Sequence, residues 1–534
     1  MKKINRYKLL AGICALTSLT SCDYEDINTN PFEMTEEMEN MDGIAMGGPI
    51  LSLERSVFPV GIAADGTTVV NQYQISYHLS ADIWSGYFSE NQNWNSGNSH
   101  MTYYLYDPWV SAMYENSYTV PFASWKQTKK QVDKSGDLEG YALAQILKVS
   151  AWVKNLETFG PLPYTHAGDM AVVIPFDTEE EAYDAIFSDL QNAINTLTPL
   201  AEQGGTVIAD FDAVYAGSAE KWVKYANSLM LRLAMRLKFV APEKSKQWVK
   251  TALDHNIGVM TVKDDEAQMS TGAGYTFVNN IAYLASNYNE ARMCTSMFAY
   301  LAGYEDPRLS KYFSPSQSEA ALPAFDQKSY APVPPGHTKG GDTYKEYSLP
   351  NMTDATPTYW MRASEVYFLR AEAALEWPEF GDAASLYKQG VQMSFEENGL
   401  SAGEADAYLA NGKKPIAVSI SDYSAPAPTT ATTEFTGSTE EKLEKIMIQK
   451  WIALYPNGQE AWTEWRRTGY PKLNPVQENR GGDGITKEKG IRRMIYPNSF
   501  SQSAEDRENY LDAVSKLKDK TDKASSRLWW DTRN

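Results

Sequence analysis

The stretch Lys221-Trp222-Val223-Lys224-Tyr225-Ala226-Asn227-Ser228-Leu229, continued by Met230-Leu231-Arg232-Leu233-Ala234-Met235-Arg236, carries the period on which the fold is read. Trp222, Tyr225, Ala226, Leu229, Leu233 and Leu237 advance by three and four positions, which lays them on one face of an α-helix. Ser218 stands where a side chain that caps a helix start is expected. Arg232, Arg236 and Lys238 fall in the later turns. The spacing predicts a helix over about 218–240.

The same period recurs on both sides. Over 137–158 it runs through Leu138, Tyr141, Ala142, Ile146, Val149, Trp152, Val153 and Leu156, and Gly160-Pro161-Leu162-Pro163 ends it. A helix from about Thr178 opens with Glu179, Glu180 and Glu181, where the helix dipole favours acids. Further helices are expected at about 359–377, 382–397 and 439–456. The fold class is mostly α, with helix pairs of tetratricopeptide (TPR) type forming the scaffold, although no copy holds the full repeat signature. Segments 41–136, 255–358, 401–438 and 474–500 read as long irregular loops, and such loops are expected to carry the ligand site.

At the other end of the scale stands Leu19-Thr20-Ser21-Cys22. It follows Lys2, Lys3, Arg6, Lys8 and an apolar run, which together read as a secretory leader over 1–21. The Leu three positions before Cys22 and the Ser one before it resemble a bacterial lipobox, whose Cys becomes the acylated first residue. Residues 22–40 are then an acidic tether, and 41–534 a single helical body. Cleavage removes four positive charges and no acid, taking the net charge from −19 to −23. So acidic a chain is a poor partner for nucleic acid. No later apolar run reaches the length of a membrane span. Cys14 departs with the leader and Cys22 carries lipid, so Cys294 has no partner for an internal disulfide.

Several stretches together resemble one family: Gly160-Pro161-Leu162-Pro163-Tyr164, the 221–236 stretch, Asp306-Pro307-Arg308-Leu309, and Arg362-Ala363-Ser364-Glu365-Val366-Tyr367-Phe368-Leu369-Arg370-Ala371-Glu372-Ala373. Gln449-Lys450-Trp451, the run Gly458 to Pro471 and Arg492-Arg493-Met494-Ile495-Tyr496-Pro497 complete the set. In this order, behind a lipobox, they are similar to the SusD/RagB family of outer-membrane nutrient-binding lipoproteins, in its SusD-like branch. The resemblance implies a surface lipoprotein on a TPR-containing scaffold that captures an oligosaccharide and delivers it to a SusC-like, TonB-dependent barrel. It implies no catalysis and no cofactor. Two alternatives stay open: a peptide-capturing member, and a lid that closes the barrel with little affinity of its own.

The ligand residues are read from composition, because no motif of the family fixes them. Residues 84–109 hold eight aromatics in 26 positions, against 12% aromatic residues in the whole chain. Amides lie among them. Flat rings cover the C–H face of a sugar while amides pair with its hydroxyls. Trp84, Trp94, Asn95, Tyr104 and Trp109 are the candidates here, Trp94 foremost. A second segment, 275–292, offers Asn280, Tyr283, Tyr288 and Arg292. In contrast, Trp222, Trp462 and Trp465 fall at helical spacing and read as core. Arg466 and Arg467 close a helical segment, with Glu365, Glu372 and Glu460 as expected partners of the arginines.

Enzyme motifs are missing from the sequence. The five His form no His-Glu-x-x-His, and no Gly-x-Ser-x-Gly elbow occurs. Val214 breaks a calcium loop at Asp210 and Asp212, and Asp264-Asp265-Glu266 reads as a solvated turn, so no metal site is expected; bound calcium stays an open point. A pair of carboxylates that converges only in space is not visible to such a search.

Overall fold

Helix Ala219–Arg236 begins at Ser218, whose side chain accepts a hydrogen bond from the Lys221 amide. Trp222, Tyr225, Ala226, Leu229, Leu233 and Leu237 are all buried, as their spacing requires. The structure is a computed structural model that describes residues 43–169, 173–482 and 484–533. The leader 1–21, Cys22 and the tether 22–40 lie outside the described residues.

The other expected helices are present: Leu138–Phe159, Glu179–Glu202, Ala363–Glu376, Ala383–Glu397 and Thr439–Leu454. Each of the first two starts on a side-chain cap, Asp137 and Thr178, the latter in a reciprocal box with Glu181. Consecutive helices pack on one another: Leu138–Phe159 on Glu179–Glu202, that on Ala219–Arg236, and Ala363–Glu376 on Ala383–Glu397. Among the described residues the chain is 53% helical, with 17 helices and few small sheets. Met46–Asn534 makes one unit by itself.

Three expected loops contain more order than their patterns suggested. Within 41–136 lie helices Ile44–Val57, Thr68–Tyr73, Asp107–Tyr114 and Val120–Ser135. Gln74–Asp82 and Glu115–Thr119 are π-helical. A π-helix bonds i to i+5, so its apolar residues do not repeat every 3.6 positions and the search for that period passes over it. Within 255–358 are Asn280–Ser286 and Thr295–Gly303, and 401–438 holds Ala402–Leu409. The helix expected at about 359–377 starts later than its pattern, at Ala363, because Thr358–Met361 is a strand paired with Ala267–Met269.

Charged side chains in the interior tie the helices together. Arg236 pairs with Glu157 at 2.8 Å, with Glu460 at 2.7 Å and with Glu464. Arg467 grips Glu372 through Nη1 and Nη2 at 2.8 and 2.7 Å, and Glu464 through Nε and Nη2 at 2.8 and 2.7 Å. Arg232 makes two bonds to Glu365, 2.7 and 2.6 Å, and Lys450 reaches Glu464 at 3.0 Å. Lys238 lies 3.4 Å from Glu372. Five cations thus face five carboxylates, all buried. Despite burial, the Arg467, Lys450 and Arg236 charges hold the Glu464 carboxyl well below the usual carboxylate range.

Candidate ligand-binding site

Two segments 200 residues apart are brought together by a short sheet. Phe88–Glu90 pairs antiparallel with Ala291–Met293, placing Phe88 opposite Met293 and Glu90 opposite Ala291. The ladder continues where the Asn91 amide donates to the Glu290 carbonyl at 3.0 Å. Just past it Gln92 Nε2 donates to the Tyr288 carbonyl at 3.4 Å.

Beyond the sheet the two segments open a pocket of about 490 Å³. Trp94, Trp109 and Tyr288 line it, with Asn71, Gln74 and Gln92 as amides and Ile75 and Leu79 as apolar floor. That volume is of the size that holds a small ligand. Trp94 is half-buried and packs edge-on against Trp109, ring centroids 6.0 Å apart at 84°. Its indole Nε1 is buried without a hydrogen-bond partner among the described residues. Behind it Asn93 donates to the Thr338 carbonyl at 3.0 Å, which fixes the turn. The turn itself is tight: Asn95 and Ser96 both have positive φ, 50° and 56°. Asn95 is exposed there, beside Trp94. Across the pocket, Tyr288 donates its hydroxyl to Asn71 Oδ1 at 2.8 Å, and Tyr283 meets the Tyr288 ring edge-on at 5.3 Å.

Asn95 and Tyr283 adjoin Trp94 and Tyr288 without lining the pocket, and the remaining sequence candidates sit elsewhere. Trp84 is 6% exposed, donates Nε1 to the His100 carbonyl at 2.9 Å and packs against Trp462. Asn280 is buried and donates to the Pro59 carbonyl at 2.6 Å. Arg292 is 1% exposed, and its guanidinium is taken by carbonyls, those of Ala291 at 3.0 Å and Lys345 at 2.9 Å among them. All three are polar or amphipathic side chains that the structure uses to satisfy backbone groups inside the molecule, so none reaches this pocket. Tyr104 is 43% exposed and stands outside the pocket lining.

Under the pocket floor is a buried charge cluster that the sequence did not reveal. His78 Nε2 lies 2.6 Å from Glu90 Oε1, and His78 Nδ1 lies 3.5 Å from Asp82. Gln74 Nε2 donates to both oxygens of Glu290, at 2.7 and 2.8 Å. Ligand-type atoms of His78, Glu90 and Glu290 lie within 4.8 Å of one another, the spacing of a metal-binding trio. Burial works against a charged His78, but the Glu90 and Asp82 carboxylates outweigh it and raise the imidazole to about 10. The protonated ring thus faces the Glu90 and Asp82 carboxylates at once. Burial, with the Glu90 charge beside it, pushes the Glu290 carboxyl up to about 8. The π-helix is what brings Gln74 and His78 to this point, and no composition signal marks it.

Residues 26–531 match the family described as "Susd and RagB outer membrane lipoprotein". The chain belongs to the SusD/RagB family. SusD-like solved structures agree with it along nearly their whole length. A chitin-binding SusD homologue from Flavobacterium johnsoniae is 33% identical with a TM-score of 0.83, over 92% of this chain and 99% of that one. A SusD homologue from Bacteroides vulgatus is 32% identical with a TM-score of 0.82, over 91% and 97%. A SusD-like protein from Bacteroides thetaiotaomicron is 28% identical with a TM-score of 0.81, over 92% and 99%. No curated protein matches the chain significantly. The SusD/RagB description is of an outer-membrane lipoprotein, and no described helix is long and apolar enough to cross a membrane.

Proposed function

We propose that this protein captures a nutrient oligosaccharide at the Trp94–Trp109–Tyr288 pocket and passes it unaltered to a SusC-like, TonB-dependent transporter. The chain is held at the outer membrane, facing outward, by acyl groups on Cys22. The observation that carries the reading is one open pocket with indole and phenol rings on its walls and three side-chain amides between them. Rings accept the apolar face of a sugar, and amides bond its hydroxyls in either direction. The name of the Flavobacterium johnsoniae relative supports a glycan, and chitin oligosaccharides are the first probe to use. The pocket's carboxylate, Glu290, has both oxygens bound by Gln74, which suits a structural role better than proton transfer.

Calorimetric titration of the purified chain with a panel of oligosaccharides tests this. Trp94→Ala is expected to weaken the best ligand by about 1–2 kcal/mol, roughly five- to thirtyfold, with the fold intact. Trp222→Phe, in the core away from the pocket, is expected to leave affinity unchanged. Equal affinities for Trp94→Ala and the parent would remove the pocket from the account, and shorter sugars appearing during incubation would make the protein an enzyme.

A further inference from the structure

The aromatic rings do not end at the first pocket. Trp109 meets His100 edge-on at 5.1 Å, His100 lies 5.7 Å from Trp84, and Trp84 lies 4.9 Å from Trp462. At the far end of this series Trp84 and Trp462 line a second and larger cavity, about 740 Å³, together with Tyr103 and Trp465. Burial lowers His100 to about 3, so the link between the two spaces carries no charge at neutral pH.

The second cavity differs from the first in its charge. Lys472, Lys487, Lys489, Arg492 and Arg527 line it, against Glu488 alone among the described acids. This stands out in a chain of net charge −19. Three of the bases are already committed: Arg492 holds Asp531 at 2.5 and 2.9 Å, Arg527 donates to the Arg533 carbonyl at 2.5 Å, and Lys487 donates to the Gln477 carbonyl at 2.5 Å. Lys472 and Lys489, both exposed, still exceed the one acid. A built polar donor stands with them: Asn474 is 7% exposed, lines the cavity, and has its Nδ2 buried without a partner among the described residues. A buried donor left unpaired is costly unless a ligand supplies the acceptor. The unmet groups are thus all donors or cations, beside the half-buried rings of Tyr103 and Trp465.

We propose that this cavity is a second ligand site that takes a carboxylate-bearing saccharide, of the uronic-acid type. Asn474, Lys472 and Lys489 bind the carboxylate and ring oxygens, and Tyr103 and Trp465 flank the ring. The saccharide part rests on the glycan-capture reading; the charge part stands without it. The two sites are separable because their lining residues do not overlap.

The test is titration of the purified full chain with trigalacturonic acid, with neutral chitotriose as the second arm. Trigalacturonate is expected to bind the parent chain, and the double variant Lys472→Glu, Lys489→Glu to lose about tenfold or more in affinity. Asn474→Ala is expected to weaken it by about threefold or more, and Trp94→Ala by less than about twofold. Raising the salt concentration is expected to weaken trigalacturonate and spare chitotriose. Melting curves confirm that each variant folds. The proposal is overturned if trigalacturonate does not bind at millimolar concentration, or if Trp94→Ala abolishes its binding while the lysine variant retains it. Chitotriose binding lost in Trp94→Ala and trigalacturonate lost in the lysine variant supports both sites. Loss of the chitotriose arm alone removes only the first.

Discussion

Arg467 is fully buried between Glu372 and Glu464, which both accept two of its hydrogen bonds. Removing one member of such a set leaves the others charged in the interior, a loss of about 3–5 kcal/mol. Arg467→Ala is therefore expected to cut unfolding free energy by that amount in urea, whereas Lys250→Ala, whose partner Asp254 is exposed, changes it by less than about 1 kcal/mol. Equal effects of the two substitutions would contradict the role given to the network. Glu290 makes a pH prediction. Its carboxyl is raised to about 8, so it holds its proton more firmly folded than unfolded. The resulting stabilisation is complete below the unfolded carboxylate value and drains away as pH climbs toward 8. The melting temperature should fall over that window, and Glu290→Gln should flatten the fall. A variant that follows the parent curve throughout places the proton elsewhere.

At the scale of elements, helix Gly458–Thr468 and the π-helix Gln74–Asp82 meet at one point without room for a side chain. A Cβ at Gly458 would lie 2.4 Å from the Asp82 Cα, a backbone atom that has no rotamer to yield. Gly458→Ala should lower the melting temperature and, because Gln74 lies on the same π-helix, weaken glycan binding in parallel. Loss of stability with full affinity would uncouple that helix from the pocket. The same elements explain what the sequence did and did not disclose. Ala219–Arg236 was legible because its buried residues keep a 3.6-residue period and Ser218 marks its start. Gln74–Asp82 was not, since i to i+5 bonding removes that period. Trp94 and Tyr288 could be chosen by composition. That they share a pocket depends on the pairing of Phe88–Glu90 with Ala291–Met293, two three-residue strands too short to announce themselves. For the same reason composition does not single out Asn71, Gln74 and Glu290, which also line the pocket; Asn280 and Arg292 bond interior carbonyls, and Trp84, which donates to the His100 carbonyl, lines the second cavity instead.

For the whole molecule, the family and the helical scaffold follow from 26–531, whereas capture and delivery depend on where the chain is held and what it meets. Attachment through Cys22 is expected to show as incorporation of labelled palmitate that is lost in Cys22→Ala, with the protein then released from membranes. Labelled Cys22→Ala protein would refute the anchor. The central claim is that a sugar lies against Trp94, and a crystal structure with the tightest-binding oligosaccharide tests it most directly. The account requires a sugar ring in van der Waals contact with the Trp94 indole, with Asn71, Gln74 or Gln92 bonded to its hydroxyls. Density for the sugar on another face, with this pocket empty, contradicts it.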